Sequence, residues 1–218
     1  MIVLALDTSA SGCYAGIYDS NADRMLGEAG ADIGRGHAER LMDDVDVALA
    51  AAGLPLDAIQ RIAVTIGPGS FTGIRVGVAA ARGLALALGI PVVGVTTLAA
   101  LAADRRKAGG ASRIAVAIDA KRDEIYLQTF SDDGRPEGEA RLIAVEDARA
   151  LLAGQDVAVT GSAAGLLGRP AADMQALPSL LSVARLGAAA DPVVDLPKPA
   201  YLRGPDAKPQ AGFAIARA

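Results

Sequence analysis

Aromatic residues, cysteine and histidine are scarce in this chain of 218 residues, which has three Phe, four Tyr, no Trp, one Cys and one His. The core must therefore be built from aliphatic side chains, and base stacking on aromatic rings is disfavoured as a mode of nucleic-acid binding. The lone cysteine, Cys13, has no internal disulfide partner and is expected in the core. The lone histidine, His37, cannot build a metal site alone, and a Ser-His-Asp triad on Ser70 is disfavoured because the two residues lie far apart.

Positive charge is also in deficit, because 21 Lys and Arg residues stand against 25 Asp and Glu residues, which gives a net charge of −4 and a pI of about 5.0. Such a surface repels phosphate backbones, so any contact with RNA is expected to be indirect. The first residues, Met1 to Asp7, lack the basic stretch of a signal peptide and are interpreted as a strand. With 52% hydrophobic residues and a single cysteine, the sequence predicts a cytoplasmic protein with a substantial core.

The most informative stretch is Val-Thr-Ile-Gly-Pro-Gly-Ser-Phe-Thr-Gly-Ile-Arg-Val-Gly at residues 64–77. A β-branched run ends at a Gly-Pro-Gly turn, and an apolar helix follows to Leu88, with Ser70 or Thr72 as its cap. Glycines at such a turn bring backbone N–H groups close to whatever lies above it, so a small anion is one candidate ligand. The helix is apolar nearly all round, which predicts that it covers the chain's own core on one side and a partner on the other.

Arg75, Arg82 and the internal glycines argue against a membrane span, as does the lack of about 18 clean apolar residues. Gly73, Gly77 and Ala81 recur every four residues instead and predict close helix packing. We therefore expect the partner interface, and a symmetric dimer of the isolated chain, to combine this helix with the first helix, predicted at residues 37–52. The predicted interface residues are His37, Leu41 and Val45 on the first helix and Gly73, Ile74, Gly77, Val78, Ala81 and Leu84 on the second.

The order of predicted elements occurs twice along the chain. Three strands, a helix, a strand and a helix recur, which predicts an N-terminal lobe at residues 1–108 and a shorter C-terminal lobe at residues 109–218 that ends in an extended, proline-rich tail. Placing Asp119 on Asp7 aligns the two halves without a gap. These features predict an α/β fold of the duplicated actin-like class (ASKHA, ribonuclease H-like), with two lobes of mixed sheet flanked by helices.

In that architecture a nucleotide lies between the lobes, which gives seven candidate nucleotide or phosphate contacts. They are Asp7, Thr8, Ser9 and Gly12 in the first hairpin, Asp119 in the second, and Gly161 and Ser162 in a second glycine-rich turn. On spacing alone, an alternative in which Asp7 and Asp119 only cap turns has equal weight. The glycines miss the Rossmann spacing by one residue, and no Gly-Lys-Ser or Gly-Lys-Thr completes a P-loop. No metal or cofactor is therefore assigned, and ATP or ADP at the lobe or subunit interface stays open.

Five motifs together resemble those of the TsaB (YeaZ) family, over nearly the whole chain. They are Leu-Asp-Thr-Ser at residues 6–9, His-Ala-Glu-Arg-Leu at 37–41, Gly-Pro-Gly-Ser-Phe-Thr-Gly-Ile-Arg-Val-Gly at 67–77, Ile-Asp-Ala-Lys-Arg-Asp-Glu-Ile-Tyr at 118–126 and Tyr-Leu-Arg at 201–203. The eleven-residue run is the most specific of them, because the catalytic paralogue TsaD shares its Gly-Pro-Gly turn and departs after it. TsaD also carries a His-x-x-x-His metal pair that this sequence lacks.

The resemblance implies a non-catalytic subunit required for N6-threonylcarbamoyladenosine (t6A) at position 37 of tRNAs reading codons that begin with adenine. It also implies two partners: TsaD, which transfers the threonylcarbamoyl group, and the ATPase TsaE. Two other classes of function stay open. An ATP-dependent small-molecule kinase of the same architecture would show phosphoryl transfer by the purified chain, and a peptidase would need a metal cluster or a catalytic triad.

Overall fold

A computed structural model describes residues 1–109, 113–170 and 174–203 of the chain. The strands are β1 (Ile2–Asp7), β2 (Gly12–Asp19), β3 (Arg24–Asp32), β4 (Arg61–Gly67), β5 (Val92–Thr96), β6 (Ile114–Lys121), β7 (Glu124–Phe130), β8 (Arg141–Ala144) and β9 (Ala158–Thr160). The α-helices are α1 (His37–Ala52), α2 (Phe71–Leu88), α3 (Thr97–Lys107), α4 (Val145–Leu152) and α5 (Leu180–Ala189). The elements follow the predicted order. Apolar runs with the period of a strand or of a helix are separated by Gly and Pro residues, which mark where one element ends and the next begins.

The strands form two sheets in which four strands have the same order, and the first sheet has β5 in addition. The first has the order β3-β2-β1-β4-β5 and the second the order β8-β7-β6-β9. In each sheet the first strand is antiparallel to the second and parallel to the strand that follows the first helix. The predicted duplicated, actin-like fold with mixed sheets flanked by helices is therefore confirmed.

The gapless alignment of the two halves is wrong by one residue along the first strand. Leu6 packs beneath α1 and α2, and in the second sheet Ala117 occupies the matching position beneath α4. The gapless alignment instead places Leu6 on Ile118, which faces α3. Because successive side chains of a strand point to opposite faces, a shift of one residue exchanges the faces. By this alternation Asp7 lies on the α5 face of the first sheet and Asp119 on the α4 face of the second, so the two carboxylates are not in matching environments.

The helices cover the sheets in layers. Helices α1 and α2 lie side by side on one face of the first sheet, and α5 packs on the other face through Val183 and Ala184. Helix α3 contacts both sheets, and α4 covers the outer face of the second sheet. The carboxylate of Asp104 on α3 accepts hydrogen bonds from the Ser179 N–H (2.7 Å) and the Ser182 hydroxyl (2.6 Å). This carboxylate attaches the beginning of α5 to α3 through the cap residue Ser179, whose hydroxyl in turn accepts the Ser182 N–H.

Helix α2 is the helix predicted from the Gly-Pro-Gly stretch, and the Ser70 hydroxyl caps it by accepting the Gly73 N–H at 3.2 Å. Among the described residues it is the one helix long and apolar enough to cross a membrane by length and composition, a test that core helices of globular proteins also pass. One stripe of α2 is buried against β4 and β1. The opposite side exposes Ala79 and Leu86, so part of the apolar excess noted in the sequence lies on the outer side of the helix.

The C-terminal segment contains no helix or strand between Leu196 and Arg203, as its prolines predict. It is held to the first sheet by the Gly94 N–H, which donates to the Asp195 carbonyl, and by the Ala200 N–H, which donates to the Ile66 carbonyl, both at 2.8 Å. This segment therefore covers the β5 edge of the first sheet. The rest of the predicted tail, residues 204–218, lies outside the described part of the chain.

Candidate functional site

The turn after β1 is the most tightly bonded part of the predicted site. Asp7, Thr8 and Ser9 are buried, with at most 1% of each residue exposed. The Asp7 carboxylate oxygen Oδ1 accepts hydrogen bonds from the Ser9 N–H (2.9 Å) and from the hydroxyl of Thr65 on β4 (2.6 Å). The Thr8 hydroxyl donates to the Gly73 carbonyl at 2.8 Å. These bonds connect the hairpin to the strand and the helix that follow it.

The glycines of the central stretch bring α2 directly onto this turn. A Cβ atom at Gly69 would overlap the Ser9 carbonyl oxygen, and one at Gly73 would overlap the Thr8 carbonyl oxygen. A Cβ atom at Gly77 would overlap the Thr8 hydroxyl. The Ser70 N–H also donates to the Ser9 carbonyl at 2.6 Å. The glycine spacing therefore serves close backbone approach within this chain, which the sequence alone could not distinguish from contact with a partner or an anion.

A nucleotide triphosphate does not fit the first hairpin as it is packed here. The Thr8 hydroxyl and the Ser9 N–H, two of the groups expected to meet phosphates, already donate within the chain. Gly12 is buried, and a Cβ atom there would overlap the ring of Tyr14. The Ser9 hydroxyl is buried and has no hydrogen-bond partner. Of the donors named, the Ser9 hydroxyl is the one without a partner, and it is buried, so the nucleotide role of Asp7, Thr8, Ser9 and Gly12 stays a prediction.

Burial dominates the ionisation of Asp7. Desolvation raises the pKa of this carboxyl above its ordinary value of 3.8, and the hydrogen bonds from Thr65 and Ser9 oppose the rise only in part. Keeping this carboxyl ionised in the folded protein therefore costs free energy. Its two bonds to Thr65 and Ser9 make it a connection between β1, β4 and the turn.

Asp119 lies in a different environment in the second sheet. Burial acts to raise the pKa of its carboxyl, but hydrogen bonds and the charge of Lys121 outweigh burial and lower the pKa below 3.8. The Lys121 ammonium lies 2.6 Å from the Asp119 carboxylate, and the Asp119 N–H donates to the Ser162 hydroxyl at 3.0 Å. Gly161 has φ 106°, and a Cβ atom there would overlap the Ala117 carbonyl. The second glycine-rich turn thus also packs against its own first strand.

The largest groove near these residues lies between the two sheets and has a volume of about 630 Å³. It is lined by the turn into α2, the β6–β7 turn, one residue of β7 and the C-terminal segment, namely residues 68–71, Ile74, 119–121, Tyr126 and 200–203. Of the seven predicted nucleotide residues, Asp119 lines this groove, and Asp7, Thr8, Ser9, Gly12, Gly161 and Ser162 do not. The structure therefore does not bring the seven residues together at one cavity wall.

Residues of the C-terminal segment contribute to the groove and were not assigned a role from the sequence. Arg75 on α2 donates to the Tyr201 hydroxyl at 2.7 Å and lies 3.6 Å above the ring centroid of Phe71. Arg203 donates to the Ala120 carbonyl at 2.9 Å and pairs with the Glu124 carboxylate. The one sequence signal for these contacts was the Tyr-Leu-Arg motif. Residues of this motif thus connect α2, which packs on the first sheet, to the β6–β7 turn of the second sheet.

The structure corrects the residues chosen for the partner interface. His37, Leu41, Val45, Gly73, Ile74, Gly77, Val78 and Ala81 are buried in this chain, and Leu84 is half-buried. They lie on the inner stripes of α1 and α2, which cover the first sheet. Apolar periodicity identifies an inner stripe, and that stripe belongs to the chain's own core. The participation of the two helices in an interface stays a prediction, now for their outer sides.

The remaining candidate residues have structural contacts. The His37 ring nitrogen Nε2 lies 3.2 Å from the Ala10 carbonyl, and this histidine begins α1 as predicted. Burial, and then the nearby Asp44 carboxylate, raise the pKa of the Cys13 thiol to about 12. Among the residues that the structure describes, no group of three or more His, Cys, Asp or Glu side chains is placed to hold a metal ion.

Comparison with known proteins gives consistent matches. A family model described as TsaD: tRNA N6-adenosine threonylcarbamoyltransferase matches residues 30–158, more than half of the chain. An uncharacterized protein of Mycobacterium tuberculosis is 39% identical over 216 residues, which cover 96% of this chain and 95% of that protein. The Escherichia coli tRNA threonylcarbamoyladenosine biosynthesis protein TsaB is 35% identical over 133 residues, which cover 61% of this chain and 56% of that protein.

Among solved structures, YeaZ from Pseudomonas aeruginosa superposes with a TM-score of 0.77 at 32% identity, with 92% of this chain and 99% of that chain covered. A second Pseudomonas aeruginosa structure, described as having similarity to peptidase YEAZ, gives a TM-score of 0.76 at 33% identity. The match to both structures extends over nearly the whole chain, and it agrees with the family model and with the TsaB relatives. The chain therefore belongs to the TsaB/YeaZ family.

Proposed function

We propose that this chain is a non-catalytic subunit for t6A formation in tRNA, and that it acts by binding a TsaD-type catalytic protein through the outer sides of α1 and α2. The relatives named TsaB support a role in t6A biosynthesis, and the family model named after TsaD supports a common ancestry with the catalytic protein. A TsaE-type ATPase is the second expected partner, and the cytoplasm is the expected compartment. The net charge of −4 favours a role in which the tRNA is held by other subunits.

The observation that carries this proposal is the exposed apolar surface of the two helices, which we call the outer face. Its exposed apolar side chains are Met42 and Val47, on the two flanks of α1, and Ala79 and Leu86 on α2. Val47 is 56% exposed and Leu86 is 85% exposed. Large apolar side chains that point outward from two adjacent helices are typical of a surface that another protein covers.

Charge is distributed unequally over the outer face. Helix α1 exposes Glu39, Asp43 and Asp46 on its outer side, and α2 exposes Arg75 and Arg82. Two such faces related by a two-fold axis would place the acidic helix of one against the basic helix of the other. The same surface can therefore form a symmetric dimer in isolation and a pseudo-symmetric pair with a paralogue of the same fold. Whether the chain pairs with itself or with the paralogue would then depend on the concentration of each protein and on the affinity of each contact.

A non-catalytic subunit of this kind acts by shifting the conformational equilibrium of its partner. It must bind the competent state of the TsaD-type protein more tightly than the other state, and a tenfold preference corresponds to about 1.4 kcal/mol. An apolar face flanked by complementary charges is sufficient for a difference of that size.

The test is reconstituted t6A formation with the TsaD-type and TsaE-type proteins of the same organism, with t6A measured by mass spectrometry of digested tRNA. Val47→Asp and Leu86→Glu should each lower both complex formation and t6A at least about tenfold, because each buries an unpaired charge at the contact. The matched control is Val193→Asp, at a residue that is 81% exposed on the C-terminal segment and outside the outer face. It should behave as wild type.

The opposite result would assign the function to the hairpins instead. If both outer-face variants form t6A normally while folded Asp7→Asn and Asp119→Ala variants do not, the scaffold mechanism is wrong. Phosphoryl transfer to a small molecule by the purified chain alone would support the kinase alternative. Light scattering on the same variants measures self-association, which both outer-face substitutions should weaken.

A further inference from the structure

Aromatic side chains are concentrated at the groove between the sheets. The chain has only seven Phe and Tyr residues, and Phe71, Tyr126 and Tyr201 line this one groove. Phe71 and Tyr201 are 52% and 51% exposed, and their ring centroids lie 5.6 Å apart. The core is built from aliphatic residues, and three of the few aromatic rings in this chain line one concave surface. Such a surface is suited to contact with another planar ring.

Two cations at the groove form ion pairs within the chain, and the third, Arg75, has only neutral partners among the described residues. Lys121 pairs with Asp119, and Arg203 pairs with Glu124. Arg75, at the edge of the groove, lies over the Phe71 ring and donates to the Tyr201 hydroxyl. Each cation is therefore accompanied by an acceptor of this chain, and the two ion pairs add no net charge. A ligand with several phosphates would compete with the Asp119 and Glu124 carboxylates for Lys121 and Arg203.

The polar groups that remain are hydroxyls. The Tyr126 hydroxyl has no hydrogen-bond partner among the described residues, and the Ser70 hydroxyl uses its oxygen as an acceptor for Gly73, which leaves its O–H free to donate. The walls between them are apolar, with Ile74, Ala120 and Leu202. A volume of about 630 Å³ is within the usual range of about 300–1,000 Å³ for small-molecule sites.

We propose that this groove binds an uncharged planar ring system, stacked against Phe71 and Tyr201 and hydrogen-bonded by Tyr126 or Ser70. The site is not a phosphate site, in contrast to the nucleotide cleft that the actin-like fold implies. The inference is independent of the partner complex, because all of its residues belong to this chain and the test uses the purified full chain alone.

The test is NMR titration of the isotope-labelled chain with indole and adenosine as uncharged rings and with ATP as the same purine ring carrying a triphosphate. At least one uncharged ring should shift the resonances of Ala120, Tyr126 and Leu202 in a saturable way, with a Kd of about 1 mM or lower. ATP should bind no more tightly than adenosine. The proposal is overturned if neither uncharged ring reaches saturation, if the shifts map elsewhere, or if ATP binds more than about tenfold tighter than adenosine.

Substitutions at the edge of the groove distinguish stacking on the Phe71 ring from non-specific binding. Phe71→Ala should weaken binding of the uncharged ring at least about fivefold, and Phe71→Tyr should restore it, because stacking needs the ring and not its exact substituent. Leu86→Ala is the matched control, since Leu86 is 85% exposed and lies outside the groove. Equal binding by all of these variants, with thermal stability unchanged, would place the ligand outside the groove and contradict the proposal.

Discussion

The hydroxyl of Thr8 donates a 2.8 Å hydrogen bond to the carbonyl oxygen of Gly73, which lies 65 residues later in the chain. This contact joins the first hairpin to α2 at the point where the two backbones are closest. It requires that no side chain stand at Gly73 or Gly77, because a Cβ atom at either position would overlap Thr8. The glycine motif and the Leu-Asp-Thr-Ser motif are therefore two halves of one packing arrangement.

A first prediction compares two glycines on α2. Gly77→Ala should destabilise the fold by about 1–3 kcal/mol, because the new methyl group overlaps the Thr8 hydroxyl and the close-packed core cannot relax freely. Gly83→Ala should stabilise it by up to about 1 kcal/mol, because nothing lies within 4 Å of that position and alanine favours the helix. Urea unfolding of the two variants measures both effects. If the two substitutions change the free energy of unfolding equally, a methyl group at residue 77 does not clash with Thr8.

The contact between Thr8 and Gly77 can be isolated by a double-mutant cycle. Thr8→Ala removes the hydroxyl that the methyl group of Gly77→Ala would meet, so the double variant should lose less stability than the sum of the single losses. Coupling energies of about 0.5–3 kcal/mol are usual for residues in contact. Additive losses would contradict the close approach seen here.

Most of the fold follows from local signals in the sequence. Helix α1 was expected at residues 37–52 and occupies His37–Ala52, because an apolar stripe with a terminal Gly53 is unambiguous. The repeated order of strands and helices gave the two-lobe topology in the same way. Periodicity of this kind depends only on neighbouring residues, which the sequence displays directly.

The predicted site was less accurate for two physical reasons. The apolar period shows which residues of a helix share a face, but it does not show whether that face meets the chain's own sheet or a partner, and Ile74 and Val78 meet the sheet. The alternation of a strand has period two, so an alignment shifted by one residue matched Asp7 to Asp119 and exchanged the faces. The groove joins segments as distant as Phe71 and Tyr201, and no local pattern predicts such a contact.

The carboxyl of Asp7 predicts a specific dependence of stability on pH. Its pKa in the folded protein is raised above 3.8 by burial, so the folded state binds this proton more tightly than the unfolded state. Its contribution to stability is therefore greatest below about pH 3.8 and is lost as the pH rises through the folded pKa. The free energy of unfolding of Asp7→Asn minus that of wild type should therefore rise as the pH increases from about 3.8 through the folded pKa.

A matched pair of variants separates charge from hydrogen bonding at this position. Asn keeps an acceptor oxygen for the Ser9 N–H and the Thr65 hydroxyl, whereas Asp7→Ala leaves both donors unpaired in a buried site. Asp7→Ala should therefore cost about 1–3 kcal/mol relative to Asp7→Asn at neutral pH. Urea unfolding across a pH series measures both variants. An advantage of wild type over Asp7→Asn that grows with pH would show that the carboxylate is stabilised in its ionised form.

The thiol of Cys13 should be unreactive while the protein is folded. It is fully buried, and its pKa is raised to about 12, so almost no thiolate exists at pH 8 and reagents have no access. Ellman's reagent should therefore label the chain only after unfolding in guanidinium chloride. Cys13→Ala provides the background for the assay. Stoichiometric labelling of the native protein within minutes would contradict the burial of this strand residue.

The final prediction concerns the contact of the C-terminal segment with the second sheet. Arg203→Ala removes the donor to the Ala120 carbonyl and the partner of Glu124, and these bonds hold the end of the segment across the groove. The Arg203 side chain is only 22% exposed, so the expected loss is about 1 kcal/mol, which lowers the Tm by roughly 2–4 °C in a chain of this size.

Hydrogen exchange distinguishes this local contact from a general loss of stability. In Arg203→Ala, the amide of Ala200, which donates to the Ile66 carbonyl, should exchange at least about fivefold faster than in Arg185→Ala, while amides of β1 in the centre of the first sheet should be accelerated equally in both variants. Arg185→Ala is the control of similar cost, because it breaks the 2.7 Å pair with Asp23 on the first lobe and leaves the segment in place. If Ala200 exchanges equally fast in both variants, Arg203 does not hold the segment, and the groove must be closed by Tyr201 and Arg75 alone.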